Sequence, residues 1–144
     1  MSLTNRAASR VVWGAAAVTS LSSLLAGRIE RFAAGYFDEG IYRMLAHNLI
    51  ADGYFGYAPG RNVALRPPGY PLFVAGIRWV VDSQWAVRAV QALLAGATVL
   101  LAAWIARRLF DAAAAAVAAA LLAGTGVLAA YAGFELSEAL ATFL

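Results

Sequence analysis

Residues 89–106, AVQALLAGATVLLAAWIA, form an uncharged run that stops at the arginine pair Arg107-Arg108. An α-helix rises about 1.5 Å per residue, so roughly 20 residues cross a hydrocarbon core of about 30 Å. The run is close to this length and carries no charge that would oppose burial in lipid. It therefore predicts a membrane-spanning helix over about residues 88–106, and this prediction sets the class of the whole fold.

The composition points to the same class. Hydrophobic residues make up 62% of the chain, charged residues make up 13%, and the mean hydropathy is +0.70, whereas about a quarter of the residues of soluble domains are charged. The net charge of +3 comes from eleven arginines scattered along the chain. They form no stripe of the kind that binds nucleic acid, so we expect no nucleic-acid partner.

Further apolar runs lie on both sides of the first one. The run before it is bracketed by arginines and has no small-x-small cleavage site, which disfavours its being a signal peptide. The last run continues to Leu144 without a polar tail, so we interpret the sequence as the N-terminal piece of a longer protein. We predict an all-α fold: a polytopic membrane helix bundle with spans at about 11–27, 88–106 and 112–131 and the start of a fourth at about 135–144.

The long connection over residues 28–87 is predicted to lie outside the cytoplasm. The positive-inside rule favours a cytoplasmic location for Arg107-Arg108 and for the N-terminal arginines. The loop itself carries six arginines, but loops of about 60 residues translocate with little regard to charge. We therefore predict a multi-pass protein of the plasma membrane with an extracytoplasmic loop.

This loop contains two predicted interfacial helices. From Asp38 onward, apolar residues recur every three or four positions, which is typical of a helix with one apolar face, and Gly53 is placed to end it. Asp38 is positioned as its N-cap. In RPPGYP, the prolines stiffen the backbone that presents Arg66, and Pro71 suits the first turn of a second helix that runs to about Val81.

Four stretches in this order resemble a known family. They are FDEGIYRMLAHNLIADGYF from Phe37 onward, RPPGYPLFVAGIRWV, WAVRAVQALLAGATVLLAAWIARRLF and FELSEALATFL. Together they resemble the amino-terminal part of the polyprenyl-phosphate-dependent glycosyltransferases of the C superfamily. Within that superfamily they are most similar to the bacterial group related to protein mannosyltransferases and to the aminoarabinose transferase of lipid A. The chain would then be the N-terminal part of one membrane glycosyltransferase domain.

The resemblance implies roles for individual residues. In the family, an acidic residue of the first external loop, often in an Asp-Glu pair, acts in catalysis, and a basic residue before paired prolines binds the lipid phosphate. A later acidic residue corresponds to Glu138, although Ser137 replaces the usual proline. The candidate catalytic residues are Asp38 and Glu39, and the candidate substrate-binding residues are Tyr42, Arg66 and Glu138.

The implied reaction moves a sugar from a polyprenyl-phosphate donor to an acceptor hydroxyl on a lipid, a polysaccharide or a protein. A carboxylate such as Asp38 can take the hydroxyl proton, and Arg66 can bind the departing phosphate. Attack opposite the phosphate would invert the anomeric carbon. No cofactor is expected. With no cysteine and one histidine the sequence predicts no metal site, although the two adjacent carboxylates could help to bind a divalent cation.

Each assignment has a structural alternative. Asp38 could serve only as a helix cap, Glu39 could form an ordinary i,i+4 ion pair with Arg43, and Arg66 could contact lipid headgroups. Arg88, one turn inside the second span, is expected to extend towards the interface. A non-enzymatic membrane protein, such as a transporter subunit or an assembly factor for envelope polymers, would show similar spans. It would not require a carboxylate pair followed by a cation on a proline-stiffened segment of the same loop.

Overall fold

The structure, a computed structural model, describes residues 3–28, 37–62, 66–134 and 136–144. These residues form helices and one small antiparallel hairpin, so the fold is all-α apart from that hairpin, which the sequence did not predict. In chain order the elements are α1 (Leu3–Ala26), α2 (Phe37–Ala51), β1 (Gly56–Ala58), β2 (Arg61–Asn62), α3 (Gly69–Val80), α4 (Gln84–Leu109), α5 (Ala112–Gly124), α6 (Val127–Gly133) and α7 (Ser137–Phe143).

Helix α4 is the centre of the bundle and packs against α1, α5, α6 and α7. Small residues allow the close approach: a Cβ atom at Gly96 would collide with the Ser20 hydroxyl and lie 3.2 Å from the Ala16 carbonyl oxygen. The Ser20 hydroxyl donates a hydrogen bond to the Ala92 carbonyl at 2.9 Å. Small residues and hydroxyls at helix contacts are typical of helix packing in membranes.

Only α4, among the described helices, is long and apolar enough to cross a membrane by itself. Helix α1 has the length but falls short in hydropathy, since it contains Arg6 and Arg10 as well as Thr19, Ser20, Ser22 and Ser23. Several of these hydroxyls bond to backbone carbonyls: Thr19 donates to Ala15 at 2.9 Å, and Ser23 donates to Thr19 at 2.8 Å. The first predicted span, at 11–27, therefore stays a prediction.

The predicted span at 112–131 is not one continuous helix. It divides into α5 and α6, which are bent by 51° and pass the membrane test only as a pair. The break falls at Thr125 and Gly126, where Gly126 adopts φ +66°, a left-handed conformation that glycine tolerates at no steric cost. Part of the predicted fourth span, residue 135, lies outside the described residues, and α7 occupies 137–143.

Helices α2 and α3 pack against each other and, through Val87, against the start of α4. Helix α2 includes Asp38 in its first turn instead of beginning after it, so the carboxylate does not have the predicted N-cap position. Gly53 follows α2 with φ +68°, as predicted for a helix stop. Pro71 lies in the first turn of α3, and the Ser83 hydroxyl caps α4 by accepting from the Trp85 amide at 3.2 Å.

The α2–α3 unit has a small core of its own. The side chains of Tyr42, Ala46, Tyr70 and Val74 are buried in it, with Val87 of α4 at its edge. The hairpin is held to α2 because the Asn48 side-chain amide donates to the Gly56 carbonyl at 2.8 Å. The loop between α1 and α4 thus contains an ordered, packed unit within the residues that the structure describes.

Candidate active site

Asp38 and Arg66 are in direct contact although 28 positions separate them in the sequence. The Arg66 guanidinium donates a hydrogen bond to the Asp38 carboxylate and forms an ion pair with it. The side chains of Asp38 and Arg66 are 42% and 29% exposed, so both charged groups remain accessible to a ligand. The contact joins the first turn of α2 to the proline-rich segment before α3, and it unites the two residues to which the sequence assigned the base and the phosphate contact.

The pKa of Arg66 is raised. Burial opposes this by lowering the pKa, but the nearby Asp38 carboxylate and the Tyr42 side chain raise it further than burial lowers it. Arg66 therefore stays positively charged at every pH at which membranes are assayed. A permanent cation beside an accessible carboxylate suits the binding of an anionic group such as a phosphate.

Tyr42 lies under this ion pair. Its ring centroid is 5.8 Å from the guanidinium carbon of Arg66, within the range of a cation–π contact, and it meets the Tyr70 ring edge-on at 4.8 Å. The Tyr42 side chain is buried, and its hydroxyl oxygen lies 3.4 Å from the Ser137 Oγ atom of α7. Tyr42 therefore connects the Asp38–Arg66 pair to the start of α7.

Glu138 is exposed, and it reaches this group of residues through its neighbour Ser137. The Ser137 hydroxyl donates to the Glu138 carboxylate at 3.4 Å. The same hydroxyl lies 3.4 Å from the Tyr42 hydroxyl, and either of the two can donate to the other. The serine that departs from the family pattern is thus the residue that Tyr42 contacts. Both contacts are long and therefore weak.

Glu39 occupies a different environment from Asp38. Its side chain is 3% exposed, and one oxygen, Oε1, accepts from Arg43 at 2.7 Å, from Gln84 at 3.1 Å and from Arg88 at 3.1 Å. The predicted i,i+4 pair with Arg43 is present, but two of the three donors come from α4. Among the described contacts, none joins Glu39 to the Asp38–Arg66 pair.

Arg88 was interpreted from the sequence as a residue that extends to the interface, and this interpretation was wrong. Its side chain is buried, 7% exposed, and donates to Glu39 and to the Gly27 carbonyl oxygen at 2.5 Å. Its guanidinium carbon also lies 5.3 Å from the centre of the Trp85 ring. The signal that could have found it is the charge itself, because ionisable residues inside a membrane span usually face the bundle and find a partner.

No signal in the sequence marked Gln84, and Ser137 was marked only as a departure from the family pattern. Their contacts arise only when α2, α4 and α7 come together. Within residues 3–28, 37–62, 66–134 and 136–144, no three histidine, aspartate or glutamate side chains group as ligands for a metal ion.

Comparison with sequence models of protein families matches residues 65–143, more than half of the 144 residues, to one family. The match places the chain in the class of membrane glycosyltransferases of the mannosyltransferase type. Specifically, the chain belongs to the family described as dolichyl-phosphate-mannose-protein mannosyltransferase. The resemblance noted in the sequence is thereby confirmed at the level of the family. Searches of curated proteins and of solved structures found no match.

Proposed function

We propose that the protein transfers a sugar from a polyprenyl-phosphate donor to an acceptor hydroxyl at the extracytoplasmic face of the plasma membrane, with inversion at the anomeric carbon. The observation that carries this proposal is the contact between Asp38 and Arg66. Family membership supports the reaction class. The contact supports the site, because it provides a proton acceptor and a phosphate-binding cation within the space of one sugar phosphate.

The proposed chemistry balances with these two residues. The acceptor oxygen attacks the anomeric carbon as Asp38 removes its proton, and the bond between that carbon and the phosphate oxygen breaks. Polyprenyl phosphate departs with the bonding electrons, and Arg66 stabilises its added negative charge through charge-assisted hydrogen bonds. A positioned general base contributes roughly 10²- to 10⁴-fold to such a reaction.

The ion pair itself is part of the proposed mechanism. Arg66 donates to the Oδ1 atom of Asp38, so this oxygen is occupied when no substrate is bound. A phosphate that binds Arg66 competes for the same donors and leaves Asp38 available to the acceptor hydroxyl. The donor would in this way activate the base that its own transfer requires.

The location of the site fits a donor with a lipid tail. The α2–α3 unit lies beside the start of α4 and near the end of α1, at the opposite end of α4 from Arg107-Arg108. The outer face of α3 is apolar, since Leu72, Trp79 and Val80 are 52%, 83% and 81% exposed. Such a face suits contact with the membrane interface. It would keep Asp38 and Arg66 at the level where a lipid-linked phosphate meets water.

The function is tested with the complete encoded protein in membranes. Polyprenyl-phosphate sugars labelled in the sugar are supplied with membrane acceptors, and release of polyprenyl phosphate is measured. We expect Asp38→Asn to lower turnover by roughly 10²-fold or more and Arg66→Ala to weaken donor use strongly. The Arg78–Asp82 pair, which is exposed on the loop and also in contact at 2.6 Å, provides matched controls in Arg78→Ala and Asp82→Asn.

Two results would contradict the proposal. If normally inserted Asp38→Asn and Arg66→Ala proteins retain full turnover, the site is misassigned. If no polyprenyl-linked sugar is consumed by the parent protein with any acceptor class, the transferase function itself fails. Whether the reaction inverts is tested separately, by determining the configuration of the anomeric carbon in the product and comparing it with that in the donor.

A further inference from the structure

Arg88 lies where three helices meet, and its side chain contacts all three. It belongs to α4, its Nη1 atom donates to the Gly27 carbonyl at the end of α1, and its Nη2 atom donates to Glu39 in the first turn of α2. A guanidinium can do this because its donors are fixed in one plane and it remains charged when buried. Removing Arg88 would therefore break one of the contacts between α2 and α4 and the contact with the end of α1 at once.

Glu39 is the partner that makes this link specific to α2. Its carboxylate is almost fully buried and also accepts from Gln84, the first residue of α4. A carboxylate whose oxygen is already shared by three donors, two of them cations, is poorly placed to accept a proton from a substrate. Asp38, the adjacent residue, is 42% exposed and contacts Arg66 instead.

We propose that Glu39 and Arg88 are positioning residues that fix α2 on the helix bundle and thereby set the location of Asp38. The pair acts through the backbone of α2, since residue 38 precedes residue 39 in the same first turn. The inference rests on the transferase function proposed above. It assigns Glu39 a role different from the catalytic one that the sequence suggested.

The energetics of buried ion pairs give this proposal a distinctive signature. Removing Glu39 leaves the buried Arg88 guanidinium without a carboxylate, and removing Arg88 leaves Glu39 with Arg43 as its remaining cation. Each single change is destabilising, whereas replacing both partners of a buried pair costs less than the two single changes together. Glu39→Gln and Arg88→Gln should therefore be non-additive. If Glu39 were instead the general base, the double variant would be as inactive as Glu39→Gln alone, because no change at Arg88 could restore a proton acceptor that has been removed.

The first experiment measures transfer kinetics in the complete membrane protein. We expect Arg88→Gln and Glu39→Gln each to lower kcat by roughly 10²-fold, the loss typical of a reacting group displaced by about 1 Å. The donor KM should change little, because Arg66 is intact, and the pH dependence of the remaining rate should match that of the parent. The Glu39→Gln/Arg88→Gln double variant should be more active than the worse single variant.

The second experiment measures the position of α2 without any turnover. The chain has no cysteine, and Gly40 is an exposed residue of α2 where an added Cβ meets nothing within 4 Å. A spin label on Gly40→Cys should be ordered in the parent background and clearly more mobile in the Arg88→Gln background. The double variant should recover much of the lost order.

Two control variants separate the proposed link from general charge effects. Arg43→Gln removes another cation from Glu39, but Arg43 belongs to the same helix and is 39% exposed, so its effect should be several-fold smaller than that of Arg88→Gln. Arg78→Gln breaks an ion pair far along α3 and should leave both measurements unchanged.

The outcomes distinguish failure of this inference from failure of the proposed function. If the single losses multiply in the double variant, the two residues act independently and the inference is wrong. If Glu39→Gln abolishes turnover while the label at position 40 stays ordered, Glu39 is catalytic and the inference is wrong. If Arg88→Gln leaves the label unchanged, the inference is also wrong. If the parent consumes no donor, the transferase proposal fails, and the label alone still decides whether Glu39 and Arg88 fix α2.

Discussion

The hydroxyl oxygens of Tyr42 and Ser137 lie 3.4 Å apart although 95 positions separate the two residues. This contact connects α2, which carries Asp38, to α7, which carries Glu138. The Tyr42 ring also lies under the Arg66 guanidinium. One side chain thus supports the proposed phosphate contact with its ring and meets α7 with its hydroxyl, and substitutions can separate the two contributions.

Tyr42→Phe keeps the ring and removes the hydroxyl. Because the contact with Ser137 is long, we expect a loss of stability of only about 1 kcal/mol and a modest decrease in turnover, with Ser137→Ala giving a similar result. Tyr42→Ala should instead cost roughly 3–5 kcal/mol, since the ring is buried between Tyr70 and Arg66. Thermal unfolding in detergent and the transfer assay measure the two effects. Equal losses for Phe and Ala would show that the ring contributes nothing.

Arg66→Lys tests whether the cation needs its permanent charge. The pKa of Arg66 is raised: burial lowers it, but the effects of Asp38 and Tyr42 are together larger. The contribution of the charged Arg66 to the stability of the fold is therefore fully present at any pH below the pKa of arginine in the unfolded chain. It would be lost only as the pH rose through the still higher folded pKa, beyond the range of the assay. Lysine has a pKa of about 10.4.

We therefore expect a constant donor KM for the parent between roughly pH 7 and 10. For Arg66→Lys, the KM should be higher throughout, because the bidentate geometry is lost, and should rise further as the pH approaches the lysine pKa. The measurement is the donor KM as a function of pH. Parallel profiles for both proteins would contradict a phosphate contact at residue 66.

The sequence predicted the parts of the fold that depend on local patterns. The stop at Gly53 and the helix that begins near Pro71 both follow from the conformational preferences of single residues. The break between α5 and α6 was missed, since alanine-rich residues run through it and hydropathy does not register the left-handed Gly126. Apolar composition predicts that a segment is buried, but it does not predict where the segment bends.

The candidate site was predictable only where its residues belong to sequence motifs. Asp38 and Arg66 belong to recognisable motifs, and the structure brings them together. The contrast between Asp38 and Glu39 could not be predicted, because it depends on which side of α2 faces α4, and two adjacent residues on a helix point about 100° apart. The packing of Gln84 and Arg88 against α2 distinguishes the buried acid from the exposed one.

Gly133 should be the least tolerant glycine of the helix bundle. A Cβ atom there would lie 2.7 Å from the Ser23 carbonyl oxygen and 2.8 Å from the Ala26 Cβ atom, so α6 and α1 would have to separate. We expect Gly133→Ala to destabilise the protein by roughly 1–3 kcal/mol. Gly14→Ala is the matched control, because position 14 lies in α1 with open space around it.

The control should behave in the opposite direction. Alanine is about 1 kcal/mol better than glycine in a helix interior, so Gly14→Ala should leave thermal stability unchanged or raise it. Thermal unfolding in detergent compares the two variants under the same conditions. If Gly133→Ala is as stable as Gly14→Ala, the close contact between α1 and α6 is absent in the membrane.

The proposed orientation predicts which positions are reachable from outside the cell. Gly40 lies in α2 beside the candidate site, and Leu109 lies at the far end of α4 next to Arg107-Arg108 and is 70% exposed. Because the chain has no cysteine, Gly40→Cys and Leu109→Cys each provide one thiol. An impermeant maleimide should label the first in intact cells and the second only after permeabilisation, since arginines at helix ends favour the cytoplasmic side. The reverse pattern would place Asp38 and Arg66 in the cytoplasm, where an acceptor on the outer face could not reach them.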